Sequence, residues 1–315
     1  MANPDLSFPP APQRSMPLVD ARPRAGAAAL ARDLLALTKP RITTLVLVTE
    51  AAGARLAPGS ATARSLGLSF LGTALIVGSA NALNMWWERD VDALMTRTRN
   101  RPLPAGRMSP DVALAFGLAL GVLGAPMLFL VNVATGLLGL VALVGYVAVY
   151  TPLKRHSHLA LLVGAVPGAI PPLLGWTTMT GTIGLGGMLL FGVLFLWQIP
   201  HFAAIATFRM EDYARAGLQV VSVQHGERAA RHTVALYTVL VVANSLLFVP
   251  FGLAGQAYLM TATVLGAGFL AFALRGLVAG PRFEARRWAR GVFAFSIPYL
   301  TVLLVALLAD RITPL

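Results

Sequence analysis

Three polar side chains spaced four residues apart, Asn84, Glu88 and Asp92, offer the clearest chemistry in the sequence. In a helix, this spacing places all three on one face. One amide and two carboxylates supply hard oxygen ligands, which Mg²⁺ takes together with water and substrate phosphate. The stripe therefore predicts a magnesium site for a phosphorylated ligand. The alternative is a solvated loop whose acids pair with its own arginines.

Basic side chains close to this stripe, or at the edges of apolar segments, would suit the phosphate groups. They are Lys39, Arg41, Arg97, Arg101, Lys154 and Arg155. Guanidinium groups match phosphate oxygens in a bidentate manner, and ammonium groups add point charges. The alternative is that they only satisfy the positive-inside rule for membrane proteins.

A second polar segment contains Glu211 and Asp212, with His201 shortly before them. Either acid could hold a second Mg²⁺ on the opposite wall of a site, although a lone Glu-Asp pair also suits an ordinary loop. His201 could be a hydrogen-bonded packing residue, an axial haem ligand or a proton shuttle. The two acidic loops are four predicted spans apart, which suggests two similar units.

The composition indicates that these residues are positioned by membrane helices. Of 315 residues, 57% are hydrophobic and 12% charged, whereas soluble domains carry about 25% charged residues. This excludes an ordinary soluble enzyme, and the net charge of +12 lies in clusters between apolar runs rather than in a nucleic-acid-binding surface. The chain has no cysteine, which excludes thiol chemistry, cysteine-ligated zinc and iron–sulfur clusters.

The hydropathy pattern predicts an all-α polytopic bundle of nine transmembrane helices, at about 20 apolar residues each. The spans are about 42–57, 66–87, 112–131, 133–150, 159–178, 184–207, 233–252, 256–274 and 291–309. With the N-terminus cytoplasmic, 22 of the 25 Lys and Arg residues fall on the cytoplasmic side. The first span carries Glu50, for which Arg55 is a possible partner.

The N-terminal residues 1–33 are rich in Pro, Ala and Arg and lack the apolar stretch of a signal peptide. They are predicted to form a disordered cytoplasmic tail, with a transit peptide as the minor alternative. Residues 34–315 are predicted to form a single intramembrane domain.

At this point the motifs resemble a known family. Asn84-xxx-Glu88-xxx-Asp92 followed by Arg97-Thr-xx-Arg101-Pro is similar to the first motif of the UbiA-type intramembrane prenyltransferases, which have aspartate at the middle position. Further stretches resemble the haem-farnesylating branch of that family. They are Leu37-Thr-Lys-Pro-Arg-Ile42, Tyr150-Thr-Pro-Leu-Lys-Arg155, Trp197-Gln-Ile-Pro-His-Phe202 and Asp212-Tyr-Ala-Arg-Ala-Gly217. The second loop departs from the family, because His201, Glu211 and Asp212 stand where many relatives have a second Asp-rich motif.

The resemblance implies a cytoplasm-facing cavity in a bacterial inner-membrane protein. The implied reaction joins farnesyl from farnesyl diphosphate to the 2-vinyl group of haem B. Water adds and diphosphate leaves, which gives haem O for terminal oxidases in a Mg²⁺-dependent step. The implied partners are these two substrates, the lipid bilayer and a downstream haem-modifying enzyme, and no nucleic acid.

The residue types and spacing, together with the resemblance, suggest a role for each candidate site residue. Asn84, Glu88, Asp92, Asp212 and His201 would be catalytic; Asn84, Glu88, Asp92, Glu211 and Asp212 would bind Mg²⁺; the six basic residues would bind diphosphate; His201 and Tyr150 would contact haem. Two alternatives stay open: a UbiA-type enzyme with another aromatic acceptor, and a transporter of anionic lipid-like molecules. The polar residues gather at one membrane face, which favours an enzyme over a transporter.

Overall fold

The computed structural model describes residues 26–278 and 283–310, and these ranges are helical with short connections. The helices are α1 (Ala27–Leu37), α2 (Pro40–Leu56), α3 (Ala63–Leu94), α4 (Pro110–Val131), α5 (Val133–Val144), α6 (Thr151–Leu153), α7 (Ala160–Thr180), α8 (Leu185–Phe208), α9 (Met210–Arg215), α10 (Val221–Gln224), α11 (Gly226–Leu246), α12 (Gln256–Leu274) and α13 (Ala285–Asp310). A π-helical segment, Gly145–Tyr150, joins α5 to α6.

Each of the nine predicted spans coincides with a helix. Seven helical stretches in the described part of the chain are long and apolar enough to cross a membrane: Ala63–Leu94, Pro110–Val131, Val133–Leu153, Ala160–Thr180, Leu185–Phe208, Gln256–Leu274 and Ala285–Asp310. The other two predicted spans correspond to α2, which has only 17 residues, and to α11, whose first turns carry Glu227, Arg228 and Arg231. The all-helical membrane fold is confirmed, while the number of crossings and the cytoplasmic N-terminus stay predictions.

The longest helix, α3, carries the polar stripe near its C-terminal end. Its 32 residues span about 48 Å at 1.5 Å per residue, which exceeds the roughly 30 Å of bilayer hydrocarbon. Thr62 caps the first turn by accepting a hydrogen bond from the Ser65 backbone N–H at 3.1 Å. The extra length lets α3 present Asn84, Glu88 and Asp92 at one end of the bundle.

Helices α2 and α7 pack in direct backbone contact. A Cβ atom at Gly53 would lie 1.9 Å from the Pro172 carbonyl oxygen, and one at Gly175 would lie 1.9 Å from the Glu50 carbonyl oxygen. Small residues at membrane helix interfaces permit such close approach. This contact fixes α2 against α7. It thereby also positions Lys39, which directly precedes α2.

Replacement of Gly175 by alanine is expected to destabilise the protein, because the new methyl group meets backbone atoms that cannot turn away. The cost should reach at least about 3 kcal/mol, the upper part of the range for overpacked cores. Thermal unfolding in detergent would measure it. Gly145→Ala is the matched control, since nothing lies within 4 Å of a Cβ there; equal melting temperatures for the two variants would refute the close contact.

Glu50 is fully buried and finds its partners on neighbouring helices. Its Oε1 accepts a hydrogen bond from Ser69 Oγ at 2.6 Å, and Ser69 Oγ lies 2.8 Å from Thr178 Oγ1. The sequence-based suggestion of Arg55 as partner is wrong, because the Arg55 side chain is exposed at the end of α2. The Ser69 hydroxyl on α3, which is itself paired with Thr178 on α7, therefore binds one carboxyl oxygen of Glu50, whereas the buried Oε2 has no hydrogen-bond partner among the described residues.

Helix α1 includes the last seven residues, 27–33, of the predicted disordered tail. Residues 1–25 lie outside the described residues, but α1 begins at Ala27 in an alanine- and leucine-rich stretch that favours helix formation. Asp33 on this helix is buried and forms an ion pair with Arg107, with 3.2 Å between Oδ2 and Nε. The pair joins α1 to the segment between α3 and α4.

Candidate active site

The polar stripe lies on α3 as its spacing predicts, and it faces inward. Asn84, Glu88 and Asp92 are 2, 6 and 3% exposed, respectively. Burial of two carboxylates on adjacent turns costs free energy unless charged or hydrogen-bonding partners compensate. The surrounding segments must therefore supply those partners.

Two cations from different segments compensate the carboxylates. Lys154 Nζ, just after α6, lies 2.7 Å from Glu88 Oε1 and 2.8 Å from Oε2. Arg101 Nη1, in the turns after α3, lies 2.6 Å from Asp92 Oδ2. All four side chains are at least three-quarters buried, so these charge-assisted contacts hold acid and base in fixed positions.

The Asn84 amide is oriented by two acceptors. Its Nδ2 donates to Glu88 Oε2 and to Thr151 Oγ1, both at 3.0 Å. Thr151 Oγ1 in turn donates to the Tyr146 carbonyl oxygen at 2.8 Å. With both N–H donors engaged by protein groups, the amide oxygen is the atom available to a cation.

Sequence reasoning did not single out Thr151 or Tyr146. Tyr146 and Tyr150 lie one turn apart, with ring centroids 5.1 Å apart, and their i, i+4 spacing could have indicated a shared face. Both belong to the π-helical segment that ends at Tyr150, directly before Thr151, and π-helical turns are frequent at functional sites. The ring of Tyr150 lies 4.8 Å from Lys154 Nζ, which places it at the edge of the ionic cluster.

Lys39 is the third cation near the stripe. It links α1 to α2 in a left-handed backbone conformation, φ 49°, and among the described residues it is the only non-glycine with positive φ. Such strain is held in place by surrounding structure and is common at functional sites. Burial, followed by repulsion from Arg101 and Lys154, lowers the pKa of Lys39 to about 7, although Asp92 and Glu88 oppose the shift.

Arg101 and Lys154 balance the two carboxylates, and Lys39, which is partly protonated near pH 7, adds a fractional positive charge to this cluster. An anionic ligand would relieve the repulsion that lowers the Lys39 pKa. The other three predicted diphosphate-binding residues, Arg41, Arg97 and Arg155, have exposed side chains. Their contacts with a diphosphate stay predictions.

The second acidic loop lies against the C-terminal end of α3. Val91 of α3 and Met95, which directly follows the helix, pack with Ala216 and Leu218. The Gln219 backbone N–H donates to the Lys154 carbonyl oxygen at 3.0 Å. The sequence-based expectation that the two loops meet is consistent with this contact.

The two adjacent acids of that loop point in different directions. Asp212 is buried, and its Oδ1 accepts from Arg215 Nη2 at 2.7 Å. Glu211 is exposed and forms an ion pair with Arg286 on α13. Consecutive helical residues are about 100° apart around the axis, so they cannot face one site together. Their roles at a second Mg²⁺ stay predictions, and the observed pairing favours only Asp212 as a buried oxygen ligand.

His201 packs between α8 and α13. Its ring stacks on Trp197 at a centroid distance of 4.6 Å and contacts Phe293 at 4.8 Å. Its Nδ1 lies 2.7 Å from Ser296 Oγ. These groups belong to the protein's own helix interface, which corresponds to the packing alternative for this histidine.

The donor set of the stripe suits a hard cation. Within residues 26–278 and 283–310, no group of three or more His, Asp or Glu side chains could hold a metal ion. The candidate metal site therefore combines two kinds of ligand, the amide oxygen of Asn84 and the carboxylates of Glu88 and Asp92. Mg²⁺ commonly takes only one or two carboxylates and keeps several water or phosphate oxygens, so the residues present fit this ion.

Comparisons with known proteins show the family to which the chain belongs. The model of the UbiA prenyltransferase family matches residues 46–297. The chain is 52% identical to a protoheme IX farnesyltransferase of Anaeromyxobacter dehalogenans over 89% of this chain and 94% of that protein. It is 50% identical to a protoheme IX farnesyltransferase of Myxococcus xanthus over 90% of this chain and 96% of that protein.

Solved structures share the fold. Digeranylgeranylglyceryl phosphate synthase aligns with a TM-score of 0.78 at 16% identity, covering 90% of this chain and 99% of that chain. A UbiA homolog from Archaeoglobus fulgidus bound to GPP and Mg²⁺ aligns with a TM-score of 0.61 at 17% identity, covering 88% and 99%. The family match and the curated relatives, together with the apolar helices, show an integral membrane enzyme that transfers prenyl groups. The chain belongs to the UbiA prenyltransferase family.

Proposed function

We propose that the protein transfers farnesyl from farnesyl diphosphate to the 2-vinyl group of haem B, with addition of water, and releases haem O and diphosphate. The observation that carries the proposal is the buried Asn84–Glu88–Asp92 stripe, faced by Arg101, Lys154 and the partly protonated Lys39. That arrangement suits a metal–diphosphate complex. The choice of farnesyl and haem rests on the relatives, which are named for protoheme IX farnesyl transfer.

Rupture of an allylic C–O bond places negative charge on the departing diphosphate. Asn84, Glu88 and Asp92 would hold Mg²⁺, which supplies Lewis-acid neutralisation of that charge. Lys39, Arg101 and Lys154 would donate hydrogen bonds to diphosphate oxygens, and each preorganised donor contributes about 3 kcal/mol to transition-state stabilisation. Apolar helices shield the allylic cation from water until the vinyl group attacks it.

The proposed location follows from the membrane fold and the charge distribution. The protein would lie in a bacterial inner membrane with the ionic cluster facing the cytoplasm, because Lys and Arg concentrate on that side. Farnesyl chains and haem are lipophilic, so both substrates would enter from the bilayer. A downstream haem-modifying enzyme would then receive the product.

On the acceptor side, we propose Tyr150 rather than His201 as the residue close to haem. Tyr150 lies beside Lys154 at the ionic cluster, whereas His201 is engaged with Trp197, Phe293 and Ser296. A haem next to Tyr150 would bring its vinyl group towards the allylic carbon.

His201→Ala is accordingly expected to lower the melting temperature while it leaves haem affinity within about twofold of the wild type. The truncation removes a buried hydrogen bond and ring contacts, which together contribute roughly 1–3 kcal/mol. Thermal unfolding and spectral haem titration measure the two effects. A large loss of haem affinity at an unchanged melting temperature would instead restore His201 as the acceptor contact.

The alternative acceptors can be separated by competition. Purified protein would receive farnesyl diphosphate with equal amounts of haem B and an aromatic quinone precursor, and the products would be resolved by mass spectrometry. The proposal predicts prenylated haem alone. Prenylation of the quinone precursor would favour the other UbiA-type activity, and diphosphate binding without any product would favour the transporter.

A further inference from the structure

Two histidines meet on the surface next to the ionic cluster, although they are 67 residues apart in the sequence. His158 follows α6, four residues after Lys154, and His225 immediately precedes α11. The His225 Nε2 atom lies 3.2 Å from His158 Nδ1, and the two rings are perpendicular at a centroid distance of 4.5 Å. The function proposed above does not use either residue.

A third ligand atom converges on the same point. Gln224 Oε1 lies 2.8 Å from His158 Nδ1 and also accepts from the His158 backbone N–H at 3.4 Å. The backbone contact fixes the amide so that its oxygen faces the histidines. His158 Nδ1 either donates one proton or accepts one, so it cannot form full hydrogen bonds with both Gln224 Oε1 and His225 Nε2.

We propose that His158, His225 and Gln224 form a binding site for a divalent transition-metal ion such as Zn²⁺. Nitrogen ligands bind Zn²⁺ at about 2.0–2.1 Å, so a separation of 3.2 Å between the two ring nitrogens corresponds to a ligand angle of about 100°. That angle is close to tetrahedral. Imidazole nitrogens select ions of the Zn²⁺, Cu²⁺ and Ni²⁺ type over Mg²⁺, which separates this site from the oxygen-rich stripe on α3.

The site joins two segments that border the ionic cluster. His158 belongs to the segment after Lys154, whereas Gln224 and His225 end the second loop, which already contacts the Lys154 carbonyl through Gln219. A bound ion would join the two segments a second time, and more strongly than the backbone hydrogen bond between Gln219 and Lys154. Metal binding should therefore raise the melting temperature of the folded protein.

The test is Zn²⁺ binding to the full-length protein after removal of any affinity tag, at pH 8 and in excess Mg²⁺ so that the α3 stripe does not compete. A chromophoric chelator reports the affinity and stoichiometry. One Zn²⁺ per chain is expected in the wild type. His158→Ala and His225→Ala should each weaken binding by more than about 100-fold, since loss of an outer-shell partner alone costs about 10–100-fold.

Two further variants make the test specific. His156→Ala removes an exposed histidine two residues away and should leave Zn²⁺ affinity unchanged. Gln224→Glu replaces the amide oxygen by a carboxylate and should tighten binding several-fold, because it adds an attractive charge. The proposal is overturned if the wild type binds no Zn²⁺, or if all three histidine variants bind it alike.

Discussion

Asp92→Ala is expected to reduce turnover by about 1,000-fold or more, which corresponds to about 4 kcal/mol of transition-state stabilisation. The substitution removes a proposed Mg²⁺ ligand and also frees Arg101, whose Nη1 lies 2.6 Å from Asp92 Oδ2. Both the Mg²⁺ site and the diphosphate donor Arg101 would then lose their fixed positions. Asn84→Ala should have a similar effect, since the Asn84 amide links the stripe to Thr151.

A steady-state assay of prenyl transfer measures this loss, with haem titration to show that the acceptor still binds. Asp90→Ala is the matched control, because Asp90 lies on the same helix but is exposed, and it should retain nearly full activity. Glu88→Asp should retain activity as well, because the family pattern has aspartate at that position. Wild-type turnover in Asp92→Ala would refute the assignment of the stripe to Mg²⁺.

Lys154→Ala is expected to lower turnover by about 100- to 1,000-fold, the usual cost of one preorganised donor. Lys154 contacts both carboxylate oxygens of Glu88 in the structure and would turn towards diphosphate oxygens in the complex. Its removal also leaves Glu88 buried without its cation, which costs stability. The loss should therefore be accompanied by a lower melting temperature.

Arg155→Ala is the control that distinguishes the loss of a cation at the site from the loss of a cation at the protein surface. Arg155 is adjacent in sequence and carries the same charge. The resemblance also assigns it to diphosphate, but its exposed side chain favours a surface role, so its removal should change turnover less than about threefold. Assays at several ionic strengths would show whether any residual effect is general attraction, which salt screens. Equal losses in the two variants would mean that net charge, rather than placement at Glu88, accounts for the effect.

The stripe on α3 could be predicted from sequence because it depends on one helix only. The i, i+4, i+8 spacing places Asn84, Glu88 and Asp92 on one face whatever surrounds the helix. The predicted apolar spans likewise depend on local composition. Their approximate positions coincide with helices, although α2 is shorter than the seven span-length helices and α11 carries charged residues in its first turns.

The partners of the stripe could not be derived in the same way, because they come from distant segments. Lys154 is 66 residues from Glu88, and spacing gives no reason to choose it over Arg155. The sequence also could not show which of the neighbouring acids Glu211 and Asp212 is buried, because that depends on how α9 packs against α3. For His201, α8 is apolar around most of its surface, so periodicity could not show that the ring faces α13.

The most direct test of the proposed reaction is turnover by the purified full-length protein in detergent. The protein would be incubated with haem B, farnesyl diphosphate and Mg²⁺, with and without EDTA, and the haem products analysed by mass spectrometry. The account predicts a haem heavier by one farnesyl group plus water, formed only without the chelator. Failure to form any prenylated haem while both substrates bind, or equal product in EDTA, would contradict it.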